Sequence, residues 1–205
     1  PSAEYIFAVI ASPVGSYFKG GPAPVSIWVS ENYTRAAIGG TGAVKCGGNY
    51  AASLRAQAEA IEHGCDQVVF LDAVERRYVE ELGGMNVFFV FDDGSLSTPP
   101  LGTILPGITR DSIITLARDA GMPVREETYT IQQWRADAAS GRLKEAFACG
   151  TAAVISPIGK VCSASGDFLI SGGAAGPVAM GMRKKLVDIQ YGRAPDPHDW
   201  IKKVF

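Results

Sequence analysis

The stretch Gly39-Gly-Thr-Gly-Ala-Val-Lys45-Cys-Gly-Gly-Asn-Tyr50, running on into Ala51-Ala-Ser-Leu-Arg-Ala-Gln-Ala-Glu-Ala-Ile-Glu-His63-Gly64, organises the rest of the chain. Glycines at 39, 40, 42, 47 and 48 predict backbone that can take positive φ and approach a ligand closely, with Lys45 in their midst. Apolar residues at 51, 54, 58 and 61, with Asn49 as N-cap and Gly64 past the end, predict a helix. Working outward, residues 5–10, 25–29, 67–71, 78–82, 85–91, 124–130 and 145–149 read as strands. This mixture excludes an all-helical bundle and predicts a mixed α/β fold with much antiparallel sheet.

Lys45 has two readings. One is a solvated loop lysine, the usual fate of that residue type. The other is an amine kept neutral by the small or apolar neighbours Ala43, Val44 and Cys46, able to form an imine with an aldehyde. No acid lies between Glu31 and Glu59 to hold it charged, which favours the second.

Composition bounds the rest. The chain has 205 residues, 47% hydrophobic, with a net charge of −2 and no basic run, so neither nucleic acid nor an anionic membrane is expected. No run of 18 or more apolar residues and no signal-peptide pattern occurs, and the default is an intracellular, cytoplasmic protein. Cysteines at 46, 65, 149 and 162 form no C-x-x-C pair, and only His63 and His198 could join them, so no metal site is expected. Cys46 would be reactive if Lys45 lowered its pKa; otherwise it is small buried filler.

Other segments carry candidate chemistry. The loop 12–21 contains Tyr17 and Phe18, too apolar for an idle surface. Residues 78–82 and 85–91 are expected to pair; on the first strand, adjacent Glu80 and Glu81 should point one to solvent and one inward. Pro99-Pro100 marks a rigid connection before Leu105-Pro-Gly-Ile-Thr109 and a well-signalled helix from Arg110, with Thr109 as N-cap, Gly121 at its end and Pro123 beyond. The helix start offers the amides of Ile108 and Thr109 and a hydroxyl, a setting that suits phosphate. A strand breaking at Gly150-Thr151-Ala152 exposes more amides and a second hydroxyl. Residues 157–176 should be a surface hairpin, and a helix follows from Pro177; His198 should be exposed.

The motifs Lys45-Cys-Gly-Gly-Asn-Tyr50, Glu81-Leu-Gly-Gly-Met-Asn86, Leu105-Pro-Gly-Ile-Thr-Arg110, Gly150-Thr-Ala152 and Asp188-Ile-Gln-Tyr-Gly-Arg193 closely resemble, in that order, the branched-chain amino acid aminotransferases, pyridoxal-phosphate enzymes of fold type IV. The resemblance implies a largely antiparallel pseudo-barrel with flanking helices, the large domain of the D-amino acid aminotransferase-like fold. Residues 1–21 would be an interdomain segment with a first strand, and 22–205 the cofactor-binding domain. It also implies an N-terminal domain ahead of residue 1 that carries a phosphate-binding arginine, and a homodimer.

By resemblance, Lys45 bonds pyridoxal 5'-phosphate, Tyr50 neighbours its ring hydroxyl and Glu81 its pyridine nitrogen. Leu105 packs on the ring, while Ile108, Thr109 and Thr151 hold the phosphate. Tyr17, Gly84, Thr151 and Ala152 would meet the substrate, with Gly84 standing where many relatives carry threonine. Substrates would be leucine, isoleucine and valine, with glutamate and 2-oxoglutarate as partner pair. A redox C-x-x-C found in some relatives is replaced by Ala153-Val-Ile-Ser156. The alternatives are a fragment that binds the cofactor without turnover, and a sister enzyme, a D-amino acid aminotransferase or aminodeoxychorismate lyase.

Overall fold

The structure, a computed structural model, describes residues 2–13 and 23–203. Nine strands form one sheet: β1 (Val25–Ser30), β2 (Gln67–Leu71), β3 (Val79–Leu82), β4 (Asn86–Phe91), β5 (Leu96–Thr98), β6 (Val124–Glu126), β7 (Leu143–Gly150), β8 (Val154–Cys162) and β9 (Phe168–Leu169). Their order is β3-β2-β1-β8-β7-β4-β5-β6, with β9 added to β8. Helices α1 (Gly47–Glu62), α2 (Ile108–Asp119), α3 (Ile131–Ser140) and α4 (Pro177–Gln190) complete the chain. Strand β1 runs parallel to both its neighbours and β6 runs parallel to β5; the other five pairings are antiparallel. The expected mixed α/β fold with a largely antiparallel, curled sheet is therefore present.

The expected pairing of 78–82 with 85–91 is corrected. Strand β3 pairs with β2, while β4 pairs with β5 and β7. A single bridge links them, the Leu82 amide donating to the Met85 carbonyl over 2.9 Å. Gly83 and Gly84 thus form a corner, and the bridge returns the β3 edge to β4, curling the sheet into a half-barrel.

Strand β4 explains why the sheet is filled on both sides. Val87, Phe89 and Phe91 enter one core, and Phe88 and Val90 the opposite one, because successive side chains alternate faces. In the first core Phe89 meets Trp134 of α3 edge-on at 4.8 Å between ring centroids. In the second, Ile113, Leu116 and Ala117 of α2 and Met182, Leu186 and Ile189 of α4 cover Phe88 and Phe147. A third cluster sets Ala56 and Ala60 of α1 on Trp28, Val68 and Phe70.

Helix α1 differs from expectation at both its start and its face. It begins at Gly47 with Cys46 at the cap position, and it buries Asn49, Ser53, Ala56 and Ala60. Leu54 and Ile61, expected to face the core, are 69% and 65% exposed. Small residues spaced three and four apart let the helix backbone lie close to the sheet, and this closeness overrides the larger apolar side chains.

Four further expectations are corrected. Residues 5–10 form no strand, and Ile6, Phe7 and Ile10 are more than nine-tenths exposed. A continuous apolar run makes a strand only when a sheet edge receives it, and none among the described residues does. The hairpin expected within 157–176 is present as β8 paired with β9, but its first strand, β8, is buried in the sheet rather than at the surface. Its Gly159 serves packing, since a Cβ there would lie 2.7 Å from the Gly173 carbonyl oxygen and 2.9 Å from Pro24 Cβ. The strand predicted over 124–130 stops at Glu126, and Thr130 instead caps α3 in a reciprocal pair with Gln133. His198 is half-buried, its Nε2 2.7 Å from an Asp119 carboxylate oxygen.

Helix α4 begins with Pro177, as expected, and buries a carboxylate at its N-terminus. Glu145 on β7 accepts from the amides of Val178 and Ala179, each over 2.8 Å. Gly176 leaves room for it, since a Cβ there would lie 1.9 Å from Glu145 Cδ. Glu145→Ala is expected to cost about 2–3 kcal/mol, the range for losing hydrogen bonds to a charged group. Urea denaturation with an unchanged slope is the check.

Candidate active site

Where β3 and β7 end and β4 begins, beside the starts of α1 and α2, a cavity of about 250 Å³ opens. Lys45, Tyr50, Glu81, Gly84, Leu105, Ile108, Thr109 and Thr151, chosen from separate motifs, all line it. Ala152 lies outside the lining, in the exposed turn between β7 and β8. Tyr17 and Phe18 fall outside the described residues.

Lys45 is exposed, which corrects the expectation of a buried amine. Its neighbour Val44 is 58% exposed and does not screen it. Its Nζ stands 6.0 Å from the Tyr50 ring centroid, and Tyr50 is itself 44% exposed. The loop carrying Lys45 is nevertheless fixed. Asn49, read from sequence as a cap, donates to the carbonyls of Thr41 and Val44 over 2.8 and 2.7 Å, and accepts from the Thr41 hydroxyl over 2.8 Å. Of the five glycines, only Gly39 takes a positive φ, and Gly42 provides close approach instead. A Cβ on Gly42 would sit 1.9 Å from the Thr103 carbonyl oxygen. Cys46 lies below its ordinary thiol pKa, chiefly through a hydrogen bond with Thr41; Lys45 is not the cause.

The cavity floor is a buried ion pair. Glu81 and Arg35 meet at 2.8 Å, their side chains 3% and 4% exposed. Asn86 donates to the other Glu81 oxygen over 3.1 Å and to the Leu105 carbonyl over 2.9 Å. Burial pushes the Glu81 carboxyl up to about 7, with Arg35 the main opposing influence and Lys45 a weaker one. Glu80 is not solvated as expected: the loop from Pro99 to Thr103 covers it, and Thr103 donates its hydroxyl to one carboxylate oxygen.

Helix α2 starts two residues earlier than expected. Its cap is Gly107, without a side-chain hydrogen bond, and Thr109 is already helical. The amides of Ile108 and Thr109 therefore have no intrahelical acceptor and lie at the positive end of the helix. Gly107 is packed against Asn86, whose Oδ1 would be 2.3 Å from a Cβ there. Thr151 lines the same cavity from the β7–β8 turn. Two threonine hydroxyls and bare amides, suited to an anion, thus share one cavity with a carboxylate and an amine. An aldehyde-bearing pyridine phosphate fits this donor set.

Arg35, Asn49 and Asn86 were missed as site residues by sequence reasoning. Asn49 and Asn86 stood inside quoted motifs, whereas nothing in the local sequence marked Arg35, whose partner Glu81 lies 46 residues on. Gly84, by contrast, can be tested directly. A Cβ there would meet Tyr50 Cε1 at 3.7 Å, an ordinary contact, and its φ lies outside the left-handed region. Gly84→Thr is expected to fold with stability within about 1 kcal/mol of the parent, as measured by urea denaturation.

The amino-transferase class IV family model matches residues 9–161. The branched-chain-amino-acid aminotransferase of Mycobacterium tuberculosis is 56% identical over 208 residues, covering 100% of this chain and 56% of that protein. The chain thus spans little more than half the length of the curated relatives it matches. Among solved structures, the Escherichia coli branched-chain amino acid aminotransferase superposes with a TM-score of 0.79 at 34% identity, over 95% of this chain and 60% of that one. The branched-chain amino acid aminotransferase of T.th., solved with N-(5'-phosphopyridoxyl)-L-glutamate, gives 0.74 at 33% identity over 89% and 57%. With a family model spanning most of its length and the cavity residues drawn from its motifs, the chain belongs to the class IV amino-transferases.

Proposed function

We propose that this chain binds pyridoxal 5'-phosphate at Lys45 and is the cofactor-binding part of an enzyme that moves the amino group of leucine, isoleucine or valine to 2-oxoglutarate. The observation that supports this most is the convergence of Lys45, Glu81, the α2 N-terminus and Thr151 on one cavity. When bound, the cofactor supplies an aldehyde for an amine and a ring that draws electrons from the substrate Cα.

The chain's own residues do the rest. Lys45 would hold the cofactor and, once displaced by substrate, its amine would take up and return the proton of the substrate Cα. Glu81 keeps a proton on the pyridine nitrogen, Tyr50 hydrogen-bonds the ring hydroxyl, and Leu105 packs on the ring. The amides of Ile108 and Thr109, with the hydroxyls of Thr109 and Thr151, grip the phosphate. Gly84 and the amide of Thr151 would face the substrate; the resemblance gives the same role to Ala152, outside the cavity lining, and to Tyr17, outside the described residues. The whole enzyme is taken to be a cytoplasmic homodimer with an N-terminal domain that supplies more of the substrate pocket. An apolar pocket would separate the three substrates poorly, since one methylene is worth about 1–3 kcal/mol.

The test is turnover with cofactor, L-leucine and 2-oxoglutarate. Formation of glutamate and the branched 2-oxo acid is expected. Cofactor uptake without 2-oxo acid would reduce the chain to a binder, and faster use of D-alanine than of L-leucine would move it to a sister class.

A further inference from the structure

We propose that Arg35 is a positioning residue: it keeps Glu81 charged and fixed at the cavity floor, and by the same bonds aligns the Lys45 loop with the segment entering α2. The role rests on the reading above only in its use of Glu81, not in the geometry.

One guanidinium nitrogen of Arg35 reaches three segments of chain. It lies 2.8 Å from the Glu81 carboxylate on β3, and it donates to the Gly42 carbonyl over 3.0 Å and the Thr103 carbonyl over 2.6 Å. Gly42 precedes Lys45 by three residues, and Thr103 precedes Leu105 by two. The lack of space at Gly42 presses the same two segments together. A displaced Arg35 would release both at once.

Charge gives a second reason, independent of the packing. Glu81 is 2% exposed, and Asn86 is a neutral donor that cannot by itself hold a buried carboxylate ionised. The other groups facing Glu81 are Glu80, whose charge opposes it, Cys149, whose thiol burial keeps neutral, and Lys45. Among these groups Arg35 is the strongest influence favouring the charged carboxylate, and at 2.8 Å it is the cation in direct contact with Glu81.

The experiment compares wild type, Arg35→Met, Arg35→Lys, Glu81→Gln and the double variant Arg35→Met with Glu81→Gln. First, the Glu81 carboxyl is titrated by carbon NMR in cofactor-free protein. Arg35→Met is expected to raise its midpoint by about one to three pH units, the range for losing an adjacent guanidinium, and Arg35→Lys to recover at least half of that rise. Second, the loaded proteins are compared by absorbance against pH and by turnover. Arg35→Met should resemble Glu81→Gln, and the double variant should lie within about threefold of Glu81→Gln, because coupled residues do not add.

A Glu81 midpoint that stays put in Arg35→Met, or losses that multiply in the double variant, would overturn the proposal. Arg35→Lys, which keeps the charge, decides the matter if Arg35→Met does not fold: a Lys variant with a wild-type midpoint supports it, and one with Glu81 fully raised contradicts it. A midpoint that moves as expected, in protein that takes up no pyridoxal phosphate, would keep Arg35 as the guardian of that charge and overturn the aminotransferase reading instead.

Discussion

Lys45→Ala is expected to remove the visible absorbance band of bound pyridoxal phosphate and to lower leucine turnover by at least about 10²–10⁴-fold, the contribution of a positioned proton carrier alone. The fold should not change. Lys45 is exposed and makes no hydrogen bond or ion pair among the described residues, so nothing in the packing depends on its side chain. Circular dichroism and the urea midpoint should match the parent, while the absorbance and the turnover collapse together. Phosphate grip by α2 and Thr151 would remain, so weak, non-covalent cofactor binding should survive as a dialysable complex.

Gly42→Ala is expected to be the most damaging small substitution near the site. Its Cβ would lie 1.9 Å from the Thr103 carbonyl oxygen, 2.9 Å from the Thr103 carbonyl carbon and 2.5 Å from Ala36 Cβ. The first two are backbone atoms and cannot rotate aside. Moving them parts the Lys45 loop from the α2 entry and stretches the bonds that Arg35 makes to both carbonyls. A loss of about 3 kcal/mol is expected, at the upper end of overpacking costs, with weakened cofactor affinity besides. Gly48→Ala is the control. It lies in the first turn of α1 with nothing within 4 Å of its added Cβ, so it should be neutral or stabilising by up to about 1 kcal/mol. Urea denaturation of the two variants side by side, with cofactor titration, separates crowding from a general intolerance of alanine in this loop.

Much of the sheet was legible because its strands are short apolar runs buried on both faces. Residues 25–29, 67–71 and 145–149 read as strands from composition alone, and each is one. Partners and register were not legible. The Gly83-Gly84 step looks like a hairpin turn, yet the strands on either side diverge to different neighbours, a choice made by long-range packing. The run at 5–10 shows the converse, since strand propensity without an edge to pair with leaves an exposed chain. For α1, the larger apolar residues pointed to the wrong face, because closeness of backbones favours alanine and serine.

The site was legible to the extent that its chemistry sits in short motifs. Five motifs carried the resemblance, site residues were named from four of them, and the cavity gathers one or more from each of those four. What escaped were the side chains whose work is to hold other segments: Arg35, which bonds Thr103 across 68 residues, and Asn86, which reaches Leu105 across 19. Glu80 was misjudged for a related reason. Alternation along a strand decides which face a side chain takes, but the loop from Pro99 to Thr103 decides whether that face meets water.

The central claim is that the Lys45 amine bonds the aldehyde of a cofactor seated in this cavity. Borohydride reduction of protein incubated with pyridoxal phosphate, followed by digestion and peptide mass spectrometry, tests it most directly. A stoichiometric phosphopyridoxyl mass is predicted on the peptide containing Lys45, with no other lysine modified. Label spread over surface lysines such as Lys184 and Lys202, with Lys45 unmodified, would contradict it.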